Sequence, residues 1–148
     1  MEPQVSTVDL GLQLGSATVL LLVMVIVHSV GLIGISKLLN LKDSRLKSHD
    51  FNASAIGLLG AFGVLLFALH IAEIVIFALF YLAIGSMDSM EEALFYSASA
   101  YATLGWTADY FPPEWRLIGA LEALIGFILI GWSTAFMVNT MQKLSETS

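Results

Sequence analysis

Three long apolar stretches with short polar connections between them dominate the hydrophobic pattern of the chain. Residues 17–36, 56–84 and 114–138 are each long enough to cross the hydrocarbon core of a membrane as a helix. A fourth stretch, Glu91–Ala102, begins with acidic residues and continues with apolar and small ones, but it is too short to cross. The pattern therefore predicts an all-α membrane protein with three transmembrane helices and one short helix between the second and the third.

The short helix is followed by a polar turn at Thr103–Trp106 and by a Pro-Pro corner, before the third long helix opens. Non-helical backbone at membrane depth survives only when it is buried in protein or lines a water-filled cavity. This layout favours a re-entrant loop. Asp88 is the expected N-cap of the short helix, because Glu91 lies three residues further on, as in a capping box.

Seven segments follow from this pattern. They are an N-terminal extracytoplasmic segment (1–16), a first transmembrane helix (17–36), a basic cytoplasmic loop (37–55), an outer helix (56–84), a re-entrant segment (85–113), an inner helix (114–138) and a cytoplasmic tail (139–148).

Composition agrees with a membrane protein. Of the 148 residues, 57% are hydrophobic and only 12% are charged, whereas a soluble domain carries about 25% charged residues. The chain has no cysteine, which excludes disulfides, thiol catalysis and cysteine-ligated metals. The net charge of −6 and the absence of a long Lys/Arg-rich face do not indicate nucleic-acid binding, and none is expected in the membrane part.

The basic residues indicate the orientation. Four of the six lie in the loop between the first and second apolar stretches, namely Lys37, Lys42, Arg45 and Lys47. By the positive-inside rule this loop is cytoplasmic, which places the N-terminus outside and the C-terminus in the cytoplasm. Lys42, Arg45 and Lys47 are also candidates for contact with anionic lipid or a cytosolic ligand. No basic region precedes the first apolar run, so this span is expected to stay in the mature protein.

The re-entrant segment and its neighbours resemble a known family. The run Ala93–Gly105 resembles the pore helix and selectivity filter of potassium channels, and His70–Glu73, Pro112–Arg116 and Gly131–Phe136 match in order and spacing. Over roughly residues 56–138 the chain is similar to a family of small bacterial ion-channel proteins that have an extra N-terminal helix. The resemblance implies a homotetramer around a central pore in the bacterial inner membrane. It also implies no enzymatic activity, no metal and no cofactor other than permeant K⁺ or Na⁺.

The filter departs from the family pattern Thr-x-Gly-Tyr-Gly-Asp, in which backbone carbonyls replace the ion's water shell. The segment here reads Thr103, Leu104, Gly105, Trp106, Thr107, Ala108, Asp109. Thr107 replaces a glycine, and a β-branched residue resists the positive φ that a filter needs at some positions. We expect Thr103–Gly105 to keep the filter geometry, the outer part to rearrange, and discrimination between K⁺ and Na⁺ to weaken.

Carboxylates surround the expected outer mouth. In a fourfold ring they would form rings that concentrate cations and repel anions. They are Asp88, Glu91, Glu92, Asp109 and Glu114.

Ionisable residues inside the apolar stretches are functional candidates by default. His70 and Glu73 lie one turn apart and could form a proton sensor, a pair of metal ligands or, as the sequence favours, a structural hydrogen-bonded pair. His28 is expected to be satisfied in packing. Glu122 could line the pore, but pairing behind the filter with Ser97, Ser99 or nearby backbone is favoured.

Two glycines of the third long helix, Gly126 and Gly131, are candidates for a gating hinge, with Gly126 preferred because it lies nearer the middle, and both could equally be packing contacts. Tyr81 is expected in an aromatic belt at the membrane surface.

Three alternatives to a regulated cation channel stay open. The first is an effector pore that a partner or ligand keeps closed and that depolarises the membrane when it opens; cell growth on expression would distinguish it. The second is an intramembrane enzyme using His28, His70, Glu73 and Glu122, although no recognised catalytic pairing is present. The third is a non-conducting assembly subunit.

Overall fold

The computed structural model describes residues 10–39, 41, 53–104 and 115–145, and in this part the chain is all-helical. Three of the helices are long and apolar enough to span a membrane, as the hydrophobic pattern predicted. The helices are α1 (Leu10–Leu38), α2 (Ala53–Ala83), α3 (Met90–Tyr101) and α4 (Arg116–Ser145).

The long helices extend beyond the predicted bounds. α1 begins at Leu10 rather than at residue 17, and Gln13 lies buried on its inward face. α4 continues to Ser145 rather than ending at residue 138, with the Thr140 hydroxyl donating to the Phe136 carbonyl one turn back. The predicted bounds were too narrow because hydropathy marks the part of a helix that needs lipid, whereas the hydrogen-bonded helix continues into flanking residues of adequate helix propensity.

The short helix starts one residue earlier than predicted, and its N-cap is Ser89 rather than Asp88. Ser89 has an extended backbone, and its hydroxyl accepts a hydrogen bond from the Glu92 backbone amide at 3.2 Å. Ser89 and Glu92 themselves have the spacing of a capping box. A serine hydroxyl at this spacing satisfies an otherwise unpaired amide, so Ser89 sets the start of α3.

The three long helices alternate in direction, and α3 packs between α2 and α4 while α1 packs against both. Leu20 of α1 lies in the same apolar cluster as Phe77 of α2, whereas Leu32 lies in a second cluster with Phe62. Higher residue numbers in α1 therefore meet lower numbers in α2, which makes these two helices antiparallel.

The core consists of two apolar layers. The first surrounds α3 and contains Leu20, Met24, Phe77, Ala78, Tyr81, Met87, Ala93, Tyr96, Ala100, Tyr101, Ile118, Ile125 and Leu129. The second lies nearer the other end of the long helices and contains Leu32, Ile35, Phe62 and Leu66. Between the two layers along α1, α2 and α4 lie the buried polar residues His28, Glu73 and Ser133. We call this level the polar layer.

Candidate functional site

α3 packs alongside α2, and its contacts run from the C-terminal end of α2 toward the middle of α2. The Tyr96 ring lies 5.1 Å from the Tyr81 ring, near the end of α2. Further along, the Ser97 hydroxyl oxygen lies 3.0 Å from the Ile74 carbonyl oxygen. At the end of α3, the Tyr101 hydroxyl reaches Glu73 at the polar layer.

The contacts of α3 with α4 also run from the end of the long helix toward its middle. Tyr96 lies beside Gly119 near the start of α4, Ser97 bonds to Glu122, and Tyr101 packs against Gly126. With a rise of about 1.5 Å per residue, α3 is about 18 Å long. The last turn of α3 therefore lies next to the middle of both long helices, while its first turn lies near their adjoining ends.

Glu122 joins α4 to α2 and α3. Its carboxylate accepts hydrogen bonds from Tyr81 on α2 and, at 2.6 Å, from Ser97 on α3. All three residues are completely buried. The pairing with Ser97 was among those predicted. The surface position expected for Tyr81 was wrong, because its hydroxyl finds a buried acceptor and its ring packs on Tyr96.

Glu73 is the centre of a second network, in the polar layer. Its Oε1 lies 2.8 Å from Nδ1 of His28, and its Oε2 lies 3.0 Å from Nδ1 of His70. The Tyr101 hydroxyl donates to the same Oε2 at 2.5 Å and lies 2.8 Å from His70 Nδ1. One buried carboxylate therefore holds α1, α2 and α3 together.

His28 is a member of this network, whereas the sequence placed it alone in apolar packing. It is completely buried, with its second ring nitrogen, Nε2, 3.3 Å from the Ser133 hydroxyl. The Trp132 ring lies 5.3 Å from the His28 ring and covers it. The sequence signal was the position of each polar residue near the middle of its span, since polar groups at one depth can meet.

The ionisable residues predicted as functional candidates in the apolar stretches fall into two separate hydrogen-bond networks. His28, His70 and Glu73 come together, with ligand-type atoms all within 4.8 Å of one another. Glu122 belongs to the other group, with Tyr81 and Ser97. Imidazoles and a carboxylate in contact can share protons or bind a cation, whereas a carboxylate held by two hydroxyls fixes helices in place.

α2 and α3 end in the same backbone motif. In α2 the amides of Gly85 and Ser86 return to the carbonyls of Leu82 and Tyr81, and Gly85 has a φ of 69°. In α3 the equivalent amides are those of Thr103 and Leu104, which bond to Ala100 and Ser99. This is the Schellman arrangement, whose left-handed position is usually glycine.

Thr103 occupies that position with a φ of 58°, although it is β-branched. Such a conformation costs about 1–2 kcal/mol for a residue with a Cβ. The sequence indicated resistance to positive φ only at Thr107. The strain at Thr103 was therefore not predicted. It lies at the first residue of the segment that resembles a selectivity filter.

Replacing Thr103 with glycine is expected to raise the free energy of unfolding by about 1 kcal/mol, because the strain disappears. The reverse change at the matched position, Gly85→Thr, is expected to lower it by a similar amount. Unfolding in mixed micelles, followed by loss of helicity in circular dichroism, measures both. A Thr103→Gly variant no more stable than wild type would show that the threonine conformation is unstrained.

Of the remaining predicted site residues, some are described by the structure and the others lie outside the described residues. Asp88, Glu91 and Glu92 are exposed near the start of α3. Leu104 is also exposed. The others lie outside the described residues, and they are Gly105, Trp106, Thr107, Asp109, Glu114, Lys42, Arg45 and Lys47.

The two candidate hinge glycines have different surroundings. A Cβ on Gly126 would lie 2.6 Å from the Tyr101 carbonyl oxygen and 2.9 Å from its ring, so the backbones of α3 and α4 approach closely there. Among the residues that the structure describes, none has an atom within 4 Å of a Cβ placed on Gly131. Gly126 therefore has a packing role within the chain.

Comparisons of the chain with protein-family models, with curated proteins and with solved structures give no match. The geometry of α3 and the buried networks are thus the basis for assigning a function.

Proposed function

We propose that the chain is the subunit of a tetrameric cation channel with a potassium-channel-like pore and weak selectivity between K⁺ and Na⁺. The observation that carries the proposal is the position of α3. Its first turn lies near the adjoining ends of α2 and α4, and Tyr101 in its last turn contacts Glu73 and Gly126 near their middles.

A chain that reaches this depth at Tyr101 and begins a spanning helix at Arg116 has to return over the residues between them. Irregular backbone at membrane depth requires protein around it or a water-filled cavity. A re-entrant loop that lines an aqueous pore meets this requirement.

The charge distribution of α3 favours cations. The negative end of the helix dipole lies at Tyr101, deep between the long helices, and a cation beyond it is stabilised. Glu91 and Glu92 lie exposed in the first turn, where they would attract cations to the mouth.

A single re-entrant loop cannot enclose a pore, so identical copies would complete the ring, and closed symmetric rings are the usual form of homo-oligomers. α4 offers a lining. Phe127, Gly131, Thr134 and Val138 follow one another at helical spacing and are all exposed in the single chain. The basic connection between α1 and α2 would face the cytoplasm of a bacterium, with the N-terminus outside.

Bi-ionic reversal potentials of the purified full chain in planar bilayers test the proposal. We expect the wild type to conduct cations with a reversal potential near zero in K⁺/Na⁺ gradients. The double variant Thr107→Gly/Ala108→Asp restores the glycine and the acid of the family filter and should favour K⁺ at least about tenfold. For a monovalent ion this is a shift of about 59 mV.

The single variant Ala108→Asp is the matched control, because it adds the charge without the backbone freedom of glycine. We expect it to stay weakly selective. A wild type with strong K⁺ selectivity would contradict the weak-selectivity part of the proposal. A chain that forms tetramers but does not conduct in any reconstituted condition would contradict the channel itself.

A further inference from the structure

We propose that His28, His70 and Glu73 form a binding site for a divalent transition metal ion, with Zn²⁺ the best match, inside the helix bundle. The site joins α1 to α2 in the polar layer. It does not depend on conduction, so it can be tested independently of the channel function.

The donor set is the first argument. Two imidazole nitrogens and one carboxylate oxygen are a set that zinc takes in proteins where one coordination position stays open. The carboxylate of Glu73 also offsets one of the two positive charges, which matters at a completely buried position.

The distances are the second argument. Glu73 lies 2.8 Å from Nδ1 of His28 and 3.0 Å from Nδ1 of His70, and the three ligand atoms lie within 4.8 Å of one another. With zinc bonds of about 2.0–2.1 Å, tetrahedral ligand atoms are about 3.4 Å apart. Changes of up to about 1.4 Å in the separations, within the range of side-chain rotation, bring the three atoms to this spacing.

Neighbouring polar groups are the third argument. A histidine that binds a metal through one nitrogen usually donates its other N–H to an acceptor. When Nδ1 of His28 faces Glu73, its Nε2 lies 3.3 Å from the Ser133 hydroxyl. The Tyr101 hydroxyl lies beside both Glu73 and His70, where it can bind the ion or hold a bound water.

Access and enclosure fit an ion rather than a larger ligand. His70 is 17% exposed, which gives a route to the site, whereas His28 and Glu73 are fully enclosed. The Trp132 ring covers His28 on the side of α4. A metal at this point would hold α1 against α2 more firmly than hydrogen bonds do.

Metal binding to the full chain tests the site directly. The protein is purified with a tag that contains no histidine, stripped with a chelator and dialysed against Zn²⁺, and bound zinc is counted by mass spectrometry. We expect one tightly bound zinc per chain. Co²⁺ as a second probe should give the intense visible absorption of a tetrahedral complex.

The variants His28→Gln, His70→Gln and Glu73→Gln are expected to bind Zn²⁺ at least about tenfold more weakly. Ser133→Ala should weaken binding by about tenfold through the orientation of His28. The control is His49→Gln, which removes the remaining histidine of the chain and should leave binding unchanged. Helical content and a single size-exclusion peak show that each variant is folded.

Two results would overturn the site. One is a wild-type chain that binds no Zn²⁺ and gives only the weak spectrum of hydrated Co²⁺, which does not depend on how any variant folds. The other is zinc binding that is unchanged in folded His28→Gln and His70→Gln proteins, since the ion would then bind elsewhere.

Discussion

Replacing Glu122 with alanine is expected to lower the free energy of unfolding by about 2–4 kcal/mol. The change removes the hydrogen bonds from Tyr81 and Ser97, which link three helices. Interhelical hydrogen bonds in membrane proteins contribute about 0.6–1.7 kcal/mol each, and the lost side-chain volume leaves a cavity in a fully buried position. Unfolding in mixed micelles, followed by circular dichroism, measures the loss.

Glu91→Ala is the matched control, because Glu91 is also a helical glutamate but its side chain is exposed. It should change stability by no more than about 0.5 kcal/mol. Glu122→Gln, which keeps an oxygen acceptor and most of the volume, should fall between the two. If Glu122→Ala were as stable as Glu91→Ala, the carboxylate would not be holding the helices together.

Replacing Gly126 with alanine is expected to cost about 1–3 kcal/mol, although alanine is the better helix former by about 1 kcal/mol. The added methyl group would collide with the backbone oxygen of Tyr101, which cannot turn away as a flexible side chain can. The last turn of α3 would have to move away from α4. In a conducting channel the same variant should reduce single-channel current, because the filter-like segment starts two residues after Tyr101.

Gly131→Ala provides the control on the same helix. Its methyl group would have no atom of the described residues within 4 Å, so the variant should be as stable as wild type or more stable by up to about 1 kcal/mol. Equal effects of the two substitutions would mean that helix propensity alone, rather than contact with α3, determines the outcome.

The apolar spans could be predicted from the sequence, because they depend on the surrounding lipid. The helix bounds and the contacts between helices were harder to predict. The three spans and the short helix followed from run length and hydropathy, because a helix in hydrocarbon needs an uninterrupted apolar surface. The bounds of α1 and α4 did not follow, since flanking residues such as Gln13 and Thr140 extend a helix without adding to its apolar signal.

Partners distant in sequence were harder to predict. Nothing local to Glu122 points to Tyr81, which is 41 residues away, and nothing local to Glu73 points to His28, which is 45 residues away. These pairings depend on the rotation and depth of whole helices. By contrast, the Ser89 cap was predictable from its spacing to Glu92, because a capping box is a local motif.

The polar layer also bears on how the protein enters its membrane. A lone glutamate at the centre of a helix opposes insertion into lipid by about 2.5–3.5 kcal/mol. His28 lies on the helix that is synthesised first, so a partner for Glu73 is already present when α2 leaves the ribosome. The hairpin of α1 and α2 can therefore satisfy its own charged residue before Tyr101 and Ser133 have been made. The contact between His28 and Glu73 thus needs only the first two long helices, whereas the rest of the polar layer needs α3 and α4 as well.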